Sequence, residues 1–189
     1  PVTPAIKPVH ERIGVEIQRG CTRGCRFCQA GYVYRPRRER HPARVIETAE
    51  KSMKSTGVHD IGLLSLSSAD YTHLQGVMEA LIALSVEKFG RIDCLFNNAG
   101  GPAQTGGIEG LDVERFDAAM ATLLRSVMLG MKHAAPYMRK QGSGSIINNG
   151  SIAGRLAGFS SSIVYGAAKA AVIHLTKCVA MEMGESNVR

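Results

Sequence analysis

The sequence contains no tryptophan, and aromatic residues make up only 5% of its 189 residues. Its core must therefore be built from Ala, Val, Ile, Leu and Met, although the 44% hydrophobic content is normal for a globular protein. No apolar run approaches the roughly 20 residues that a membrane-spanning helix needs. No apolar segment of signal-peptide type follows Pro1. These absences predict a cytoplasmic protein without a membrane partner.

Concentrated charge is also scarce, although the formal net charge is +7. Residues 1–82 carry 12 Lys and Arg against 8 Asp and Glu, and residues 83–189 carry 11 against 8. The one basic cluster contains Arg35, Arg37, Arg38 and Arg40. This distribution favours a solvated loop, or one that faces a ligand phosphate, over a nucleic-acid surface, so we expect no nucleic acid partner.

The five cysteines do not suggest a disulfide framework, because their number is odd and no export signal is present. Cys94 and Cys178 have apolar neighbours and are expected in the core. The other three, Cys21, Cys25 and Cys28, form a C-x-x-x-C-x-x-C motif. Thiolates at this spacing can bind three irons of a [4Fe–4S] cluster and leave the fourth iron open.

Two other interpretations of the cysteine motif stay open. The three thiolates could bind zinc, with His10 or His41 as the fourth ligand that zinc usually requires. They could also be unoccupied thiols.

Strand and helix patterns alternate along the chain. Strands are predicted near residues 13–17, 61–66, 92–96 and 145–149. Helices are predicted from Pro42 to Gly57, from a cap at Asp70 to Phe89, from a cap at Asp112 to Lys140 with a break near Pro136, and from Ser162 to a stop at Gly184. This order predicts a partial Rossmann-like α/β fold, with a parallel sheet of about four strands and flanking helices.

Ser151, Tyr165 and Lys169 form a candidate catalytic group. Tyr165 and Lys169 are four residues apart on a predicted helix and therefore share a face. An ammonium beside a phenol favours the phenolate, which makes Tyr165 a usable acid–base group. Ser151 follows a strand end, where α/β proteins place their sites, and could donate a hydrogen bond to a substrate carbonyl.

The cysteine motif and its surroundings resemble the cobalamin-associated branch of the radical S-adenosylmethionine superfamily. The likeness covers about residues 8–82 and includes Gln29-Ala30-Gly31, Tyr34-Arg35-Pro36 and the stretch from Leu64 to Tyr71. It implies a [4Fe–4S] cluster on Cys21, Cys25 and Cys28 whose open iron binds S-adenosylmethionine. Only two of the family's roughly six strand–helix units are present.

The remainder, about residues 84–189, resembles the short-chain dehydrogenase/reductase family. Besides the candidate catalytic group, the likeness rests on four stretches: Gly90–Asp93, Asn97-Asn98-Ala99-Gly100, Lys132–Pro136 and Gly144–Asn148. The resemblance implies an NAD(P)-dependent interconversion of a carbonyl and an alcohol on a small-molecule substrate. It also implies possible homo-oligomers through the last helix.

The same resemblance implies residue roles. Tyr165 would exchange the proton at the substrate oxygen, Lys169 would also bind the nicotinamide ribose, and Ser151 would hold the substrate. Asn97, Asn98, Ala99 and Gly100 would lie on the cofactor's adenosine side, and Gly150 on its nicotinamide side.

Two departures from the family pattern bear on activity. Leu123 stands where the family usually has a fourth catalytic residue, an Asn. No G-x-x-x-G-x-G turn follows the first strand, and such a turn brings backbone N–H groups to the cofactor pyrophosphate. We therefore expect a truncated radical-enzyme segment (1–82) joined to a truncated reductase segment (83–189). A reductase, a radical enzyme and a non-catalytic fusion or assembly product all stay open.

Overall fold

The computed structural model describes residues 12–21, 28–66, 71–98, 100–101 and 103–189. The chain forms two compact units, Pro1–Val77 and Met78–Arg189, which we call unit 1 and unit 2. The expected helix cap Asp70 lies outside the described residues.

Unit 1 is built on a parallel pair of strands. β1 (Ile13–Glu16) pairs with β4 (Ile61–Leu64), with Ile13 in register with Ile61. The helix between them, α2 (Pro42–Thr56), starts at Pro42, whose fixed φ suits a first helical turn, and ends at Gly57 in the left-handed region (φ +69°). Its buried face carries Val45, Ala49 and Met53, which are spaced four residues apart and so lie on one side of the helix.

Unit 1 also contains a short ribbon that the sequence did not predict. β2 (Gln18–Arg19) pairs antiparallel with β3 (Arg38–Glu39), and a single helical turn, α1 (Ala30–Val33), lies in the connection between them. Strands of two residues are too short to give a hydrophobic pattern.

Unit 2 has a second parallel pair, β5 (Cys94–Asn97) and β6 (Ser145–Asn148). At the other edge of β6, Val188 bridges to Gly144, and the Ile146 N–H donates to the Arg189 carbonyl at 2.7 Å. One face of the pair packs on the helices through Leu95 and Ile146. The opposite face leaves Phe96 50% exposed and Ile147 49% exposed.

The helices of unit 2 follow the predicted order. α3 spans Leu74–Phe89, with its first turn in unit 1. The others are α4 (Val113–Met120), α5 (Ser126–Gln141) and α6 (Ile163–Met183). Short 3-10 turns cover Ile108–Gly110, Ile152–Gly154 and Gly184–Ser186. The predicted cap Asp112 accepts a hydrogen bond from the Arg115 N–H at 2.9 Å. The α/β class is confirmed, although the four parallel strands hydrogen-bond as two pairs.

The expected helix break near Pro136 is wrong. α5 continues through Pro136, and the irregularity is a π-helical turn at Ala121–Arg125, between α4 and α5. Pro136 removes a hydrogen bond to the carbonyl of Lys132. Because Lys132 is exposed, water can replace that bond.

Two predicted core cysteines, Cys94 and Cys178, are exposed instead. Cys94 shares the uncovered face of β5 with Phe96, since alternate strand residues point the same way. α6 ends at Met183 with Gly184 as its C-cap, as predicted. Gly184 nevertheless keeps right-handed helical angles, and the left-handed residue is Asn187 (φ 54°).

Length and composition would allow α6 with its following turn, Ile163–Ser186, to cross a membrane, at a mean hydropathy of 1.3. This differs from the expectation that no segment is apolar enough. A core helix of a globular protein meets the same criterion, and Thr176 of α6 hydrogen-bonds to Asn148 of β6. Only 22% of its most apolar window is buried within the protein, and a single helix of this kind is weak evidence for a membrane span.

Candidate active site

Ser151 opens the 3-10 turn that follows β6. Its backbone is extended, and its Oγ accepts a hydrogen bond from the Ala153 N–H at 3.2 Å. The hydroxyl proton remains available for donation, because Oγ acts only as an acceptor in this bond.

Glycines allow this turn to lie directly on α6. A Cβ at Gly154 would be 2.6 Å from the carbonyl carbon of Lys169, and a Cβ at Gly166 would be 3.0 Å from the Ala153 carbonyl oxygen. A Cβ at Gly150, a predicted cofactor residue, would lie 3.3 Å from the Ile173 side chain. The loop that carries Ser151 therefore packs on the helical turn that carries Lys169.

Tyr165 and Lys169 lie one turn apart near the start of α6, as predicted. The Tyr165 N–H donates to the Oγ of Ser162, which caps the helix, at 3.2 Å. The Lys169 Nζ lies 5.9 Å from the centroid of the Tyr165 ring, within range of a cation–π interaction.

Lys169 is only 3% exposed, which is unusual for lysine. Its Nζ donates to the backbone carbonyl of Asn149 at 2.7 Å. Burial lowers the pKa of Lys169 below its ordinary value, because the charged form loses hydration. An ammonium has three N–H donors, so the carbonyl bond leaves two for further partners.

Two pairs of asparagines connect the carboxyl ends of β5 and β6. Asn97 donates to the Asn148 Oδ1 at 2.8 Å, and Asn149 donates to the Asn98 Oδ1 at 2.6 Å. Asn148 also donates to the Thr176 Oγ1 of α6 at 3.0 Å. Successive strand residues point to opposite faces, so the two asparagine pairs link the strand ends on opposite faces. Together they fix the position of the Asn149 carbonyl, which accepts the hydrogen bond from Lys169.

Sequence reasoning missed the roles of Asn148, Asn149 and Thr176. A backbone acceptor such as the Asn149 carbonyl has no signature in the sequence. The pairing itself had a signal, because each of two neighbouring strands ends in Asn-Asn.

The remaining predicted cofactor residues are less informative. Gly100 is exposed, and Ala99 lies outside the described residues.

Leu123 is fully buried on the π-helical turn and packs with Ala119, Val164 and Ala168. Its apolar side chain therefore belongs to the core.

The predicted cluster ligands are only partly described. Cys21 is buried and Cys28 is half-buried, whereas Cys25 lies outside the described residues. Among the residues that the structure does describe, no group of three His, Cys, Asp or Glu side chains could hold a metal ion. The cluster ligation by the three cysteines stays a prediction.

Comparison with known proteins identifies one family. Residues 40–189 match the family model described as short chain dehydrogenase, so the match begins earlier than the expected residue 84. The chain is 40% identical over 117 residues to 2-(R)-hydroxypropyl-CoM dehydrogenase of Xanthobacter autotrophicus, a similarity that covers 61% of this chain and 46% of the relative.

Two further similarities cover more of the chain. Levodione reductase of Leifsonia aquatica is 34% identical over 151 residues, which cover 80% of this chain and 52% of the relative. A structure of NAD+-bound xylitol dehydrogenase superimposes with a TM-score of 0.60 at 26% identity, over 78% of this chain and 54% of that one. The chain thus spans about half the length of the curated relatives it matches.

Proposed function

Since the chain belongs to the short-chain dehydrogenase family, we propose that it is an oxidoreductase that interconverts a carbonyl and an alcohol on a small-molecule substrate. The observation that carries the proposal is the packing of the Ser151 turn against the helical turn of Tyr165 and Lys169. This arrangement brings a hydroxyl donor, a phenol and an ammonium into one neighbourhood.

The roles follow from the chemistry of these groups. Tyr165 gives a proton to the substrate oxygen during reduction and takes it back during oxidation. The Lys169 ammonium lies 5.9 Å from the centroid of the Tyr165 ring and supplies positive charge beside the reacting phenol. The Ser151 hydroxyl orients the substrate oxygen by a hydrogen bond, and the Asn149 carbonyl orients Lys169.

The donor set fits the nicotinamide half of an NAD(P) cofactor, because Lys169 keeps two N–H donors for ribose hydroxyls. Bound nicotinamide would supply or accept the hydride. Gly150 borders the same loop, and Asn97 and Asn98 end the neighbouring strand. The pyrophosphate side fits less well, since the sequence has no G-x-x-x-G-x-G turn. We therefore expect weak, millimolar cofactor affinity.

Fluorescence titration with NADH and NADPH tests the proposal. The wild type should bind at millimolar cofactor, and Lys169→Met should weaken binding. Tyr165→Phe should bind normally but lose carbonyl reduction. Tyr137→Phe on α5 removes a phenolic hydroxyl outside the site and is the matched control. If the wild type binds neither NADH nor NADPH at millimolar concentration, the result contradicts the proposal.

A second candidate function is a [4Fe–4S] centre on Cys21, Cys25 and Cys28 that binds S-adenosylmethionine. The family match leaves these residues out, and the Cys21 N–H donates to the Tyr34 carbonyl at 3.0 Å. Anaerobic reconstitution with iron and sulfide should give a brown protein, and Cys21→Ser should abolish the colour. The exposed-cysteine control Cys94→Ser should keep it. Colourless wild-type protein contradicts this proposal.

We also propose a cytoplasmic protein that self-associates through α6. Met181 is 84% exposed on this helix, and a groove between α5 and α6 is lined by Met128, Leu175 and Val179. Val179→Glu should shift the protein toward monomer in sedimentation equilibrium. An unchanged mass would contradict association through this helix.

A further inference from the structure

The β2–β3 ribbon of unit 1 concentrates positive charge in a way that the sequence does not reveal. Arg19 stands directly opposite Arg38 in the antiparallel register, and side chains opposite each other share a face. Like charges in this position are destabilising unless another charge compensates them.

Among the described residues of unit 1, this positive charge is only partly compensated. Arg19 binds the Glu16 carboxylate at 2.8 Å, and Arg40 approaches the same carboxylate at 3.7 Å. Arg37 pairs with Glu39 at 3.2 Å. The Arg38 side chain is exposed, and it makes no hydrogen bond or ion pair with the part of the chain that the structure describes.

The local charge balance is therefore strongly positive. Residues 16–21 and 28–40 contain five arginines and only two glutamates. Both glutamates already form ion pairs with arginines, so the excess positive charge attracts an anionic partner.

Exposed aromatic rings lie in the connection between the two strands. Tyr32 is 65% exposed and Tyr34 is 58% exposed, although burial of such rings would stabilise the fold. The connection is anchored beside the ribbon, because the Cys21 N–H donates to the Tyr34 carbonyl. Gly20 (φ +84°) permits this approach, since a Cβ there would lie 2.7 Å from the same carbonyl oxygen.

We propose that the surface formed by Arg19, Arg38, Tyr32 and Tyr34 binds single-stranded nucleic acid. Surplus guanidinium groups contact the phosphates, and the exposed rings stack on bases, which is the combination that such surfaces use. The proposal is independent of the oxidoreductase activity. It departs from the expectation of no nucleic acid partner, because the sequence does not show that Arg19 and Arg38 face each other.

Fluorescence anisotropy with a labelled oligodeoxythymidylate of about 12 nucleotides, near the size of one single-strand site, tests this on the full chain. Arg38→Gln should weaken binding and lower the salt slope by about 0.7, the value for one phosphate contact on a single strand. Tyr32→Ala combined with Tyr34→Ala should weaken binding by about fivefold or more with little change in slope. Lys177→Gln, an equal loss of charge in unit 2, should leave affinity and slope unchanged.

Three results would overturn the proposal. Equal affinities for Arg38→Gln and Lys177→Gln would mean that only the net charge matters. Equal or tighter binding of a duplex would exclude stacking on single-stranded bases. Displacement of the oligonucleotide by millimolar NADPH, with the same loss of NADPH affinity in Arg38→Gln, would make the surface a cofactor-phosphate site.

Discussion

At the residue scale, the candidate active site depends on Lys169, whose side chain is buried away from water. The spacing of Tyr165 and Lys169 was predictable, because residues four apart on a helix share a face. The burial of Lys169 was not, because it depends on Gly154 and on the Asn149 carbonyl, which come from another part of the chain. A sequence pattern predicts which residues share a face of one helix, but it does not predict contacts between segments that are distant in the chain.

Burial of Lys169 predicts a specific pH dependence of stability. Its folded-state pKa is lowered from 10.5, so between the two values the unfolded chain binds more protons than the folded one. The free energy of unfolding of the wild type should therefore rise relative to Lys169→Met as pH approaches 10.5. Urea unfolding at several alkaline pH values measures this difference.

The asparagine pairs predict unequal mutational costs. Asn148→Ala removes partners from both Asn97 and Thr176 and should lower the free energy of unfolding by about 2–3 kcal/mol. Thr176→Val removes the acceptor of one Asn148 bond and a bond from the Thr176 hydroxyl to the Val172 carbonyl. Because that carbonyl lies within α6 and also accepts a helical backbone bond, the change should cost only about 1 kcal/mol. Urea denaturation at neutral pH distinguishes the two. Equal costs would mean that Asn148 does not link the strands to α6.

At the element scale, the regular helices and strands followed from the sequence, and the exceptions have local causes. Pro42 and Gly57 marked the ends of α2 correctly, because each has a strong conformational preference. The π-helical turn at Ala121–Arg125 has no such marker. The exposure of Cys94 could not be predicted, because apolar strand residues are buried only where another element covers them.

Contact between the Ser151 turn and α6 predicts the effect of one methyl group. Gly154→Ala would place a Cβ 2.6 Å from backbone atoms of α6, so the turn must move away. We expect a loss of about 1–3 kcal/mol in stability and a loss of activity. Gly184→Ala is the control, because no atom lies within 4 Å of its Cβ. Thermal unfolding and NADH-linked assays of both variants measure the effect. Similar behaviour of the two would show that close packing at Gly154 is not required.

At the scale of the whole molecule, buried apolar surface is distributed unevenly between elements. In unit 2, α5 contributes Val127, Met131, Ala134 and Met138 to buried clusters that also include residues of α6. In unit 1, β4 has no residue in the buried class. The sequence predicted the class of fold, but the degree of burial of each strand depends on the elements that cover it.

This difference predicts a gradient of local stability. Backbone amides of α5 should exchange with solvent more slowly than those of β4, after correction for intrinsic rates, because few buried contacts resist opening of β4. Hydrogen exchange with mass spectrometry measures both segments in one experiment. Slower exchange in β4 than in α5 would contradict the prediction.

The bonds that Arg189 makes beside β6 have a practical consequence for expression. A purification tag fused directly after Arg189 would start at the edge of β6, where Val188 and Arg189 bond to Gly144 and Ile146. Its first residues would compete for strand pairing or pull Val188 and Arg189 out of place. A flexible glycine–serine spacer at that end would leave Val188 and Arg189 free to keep their bonds.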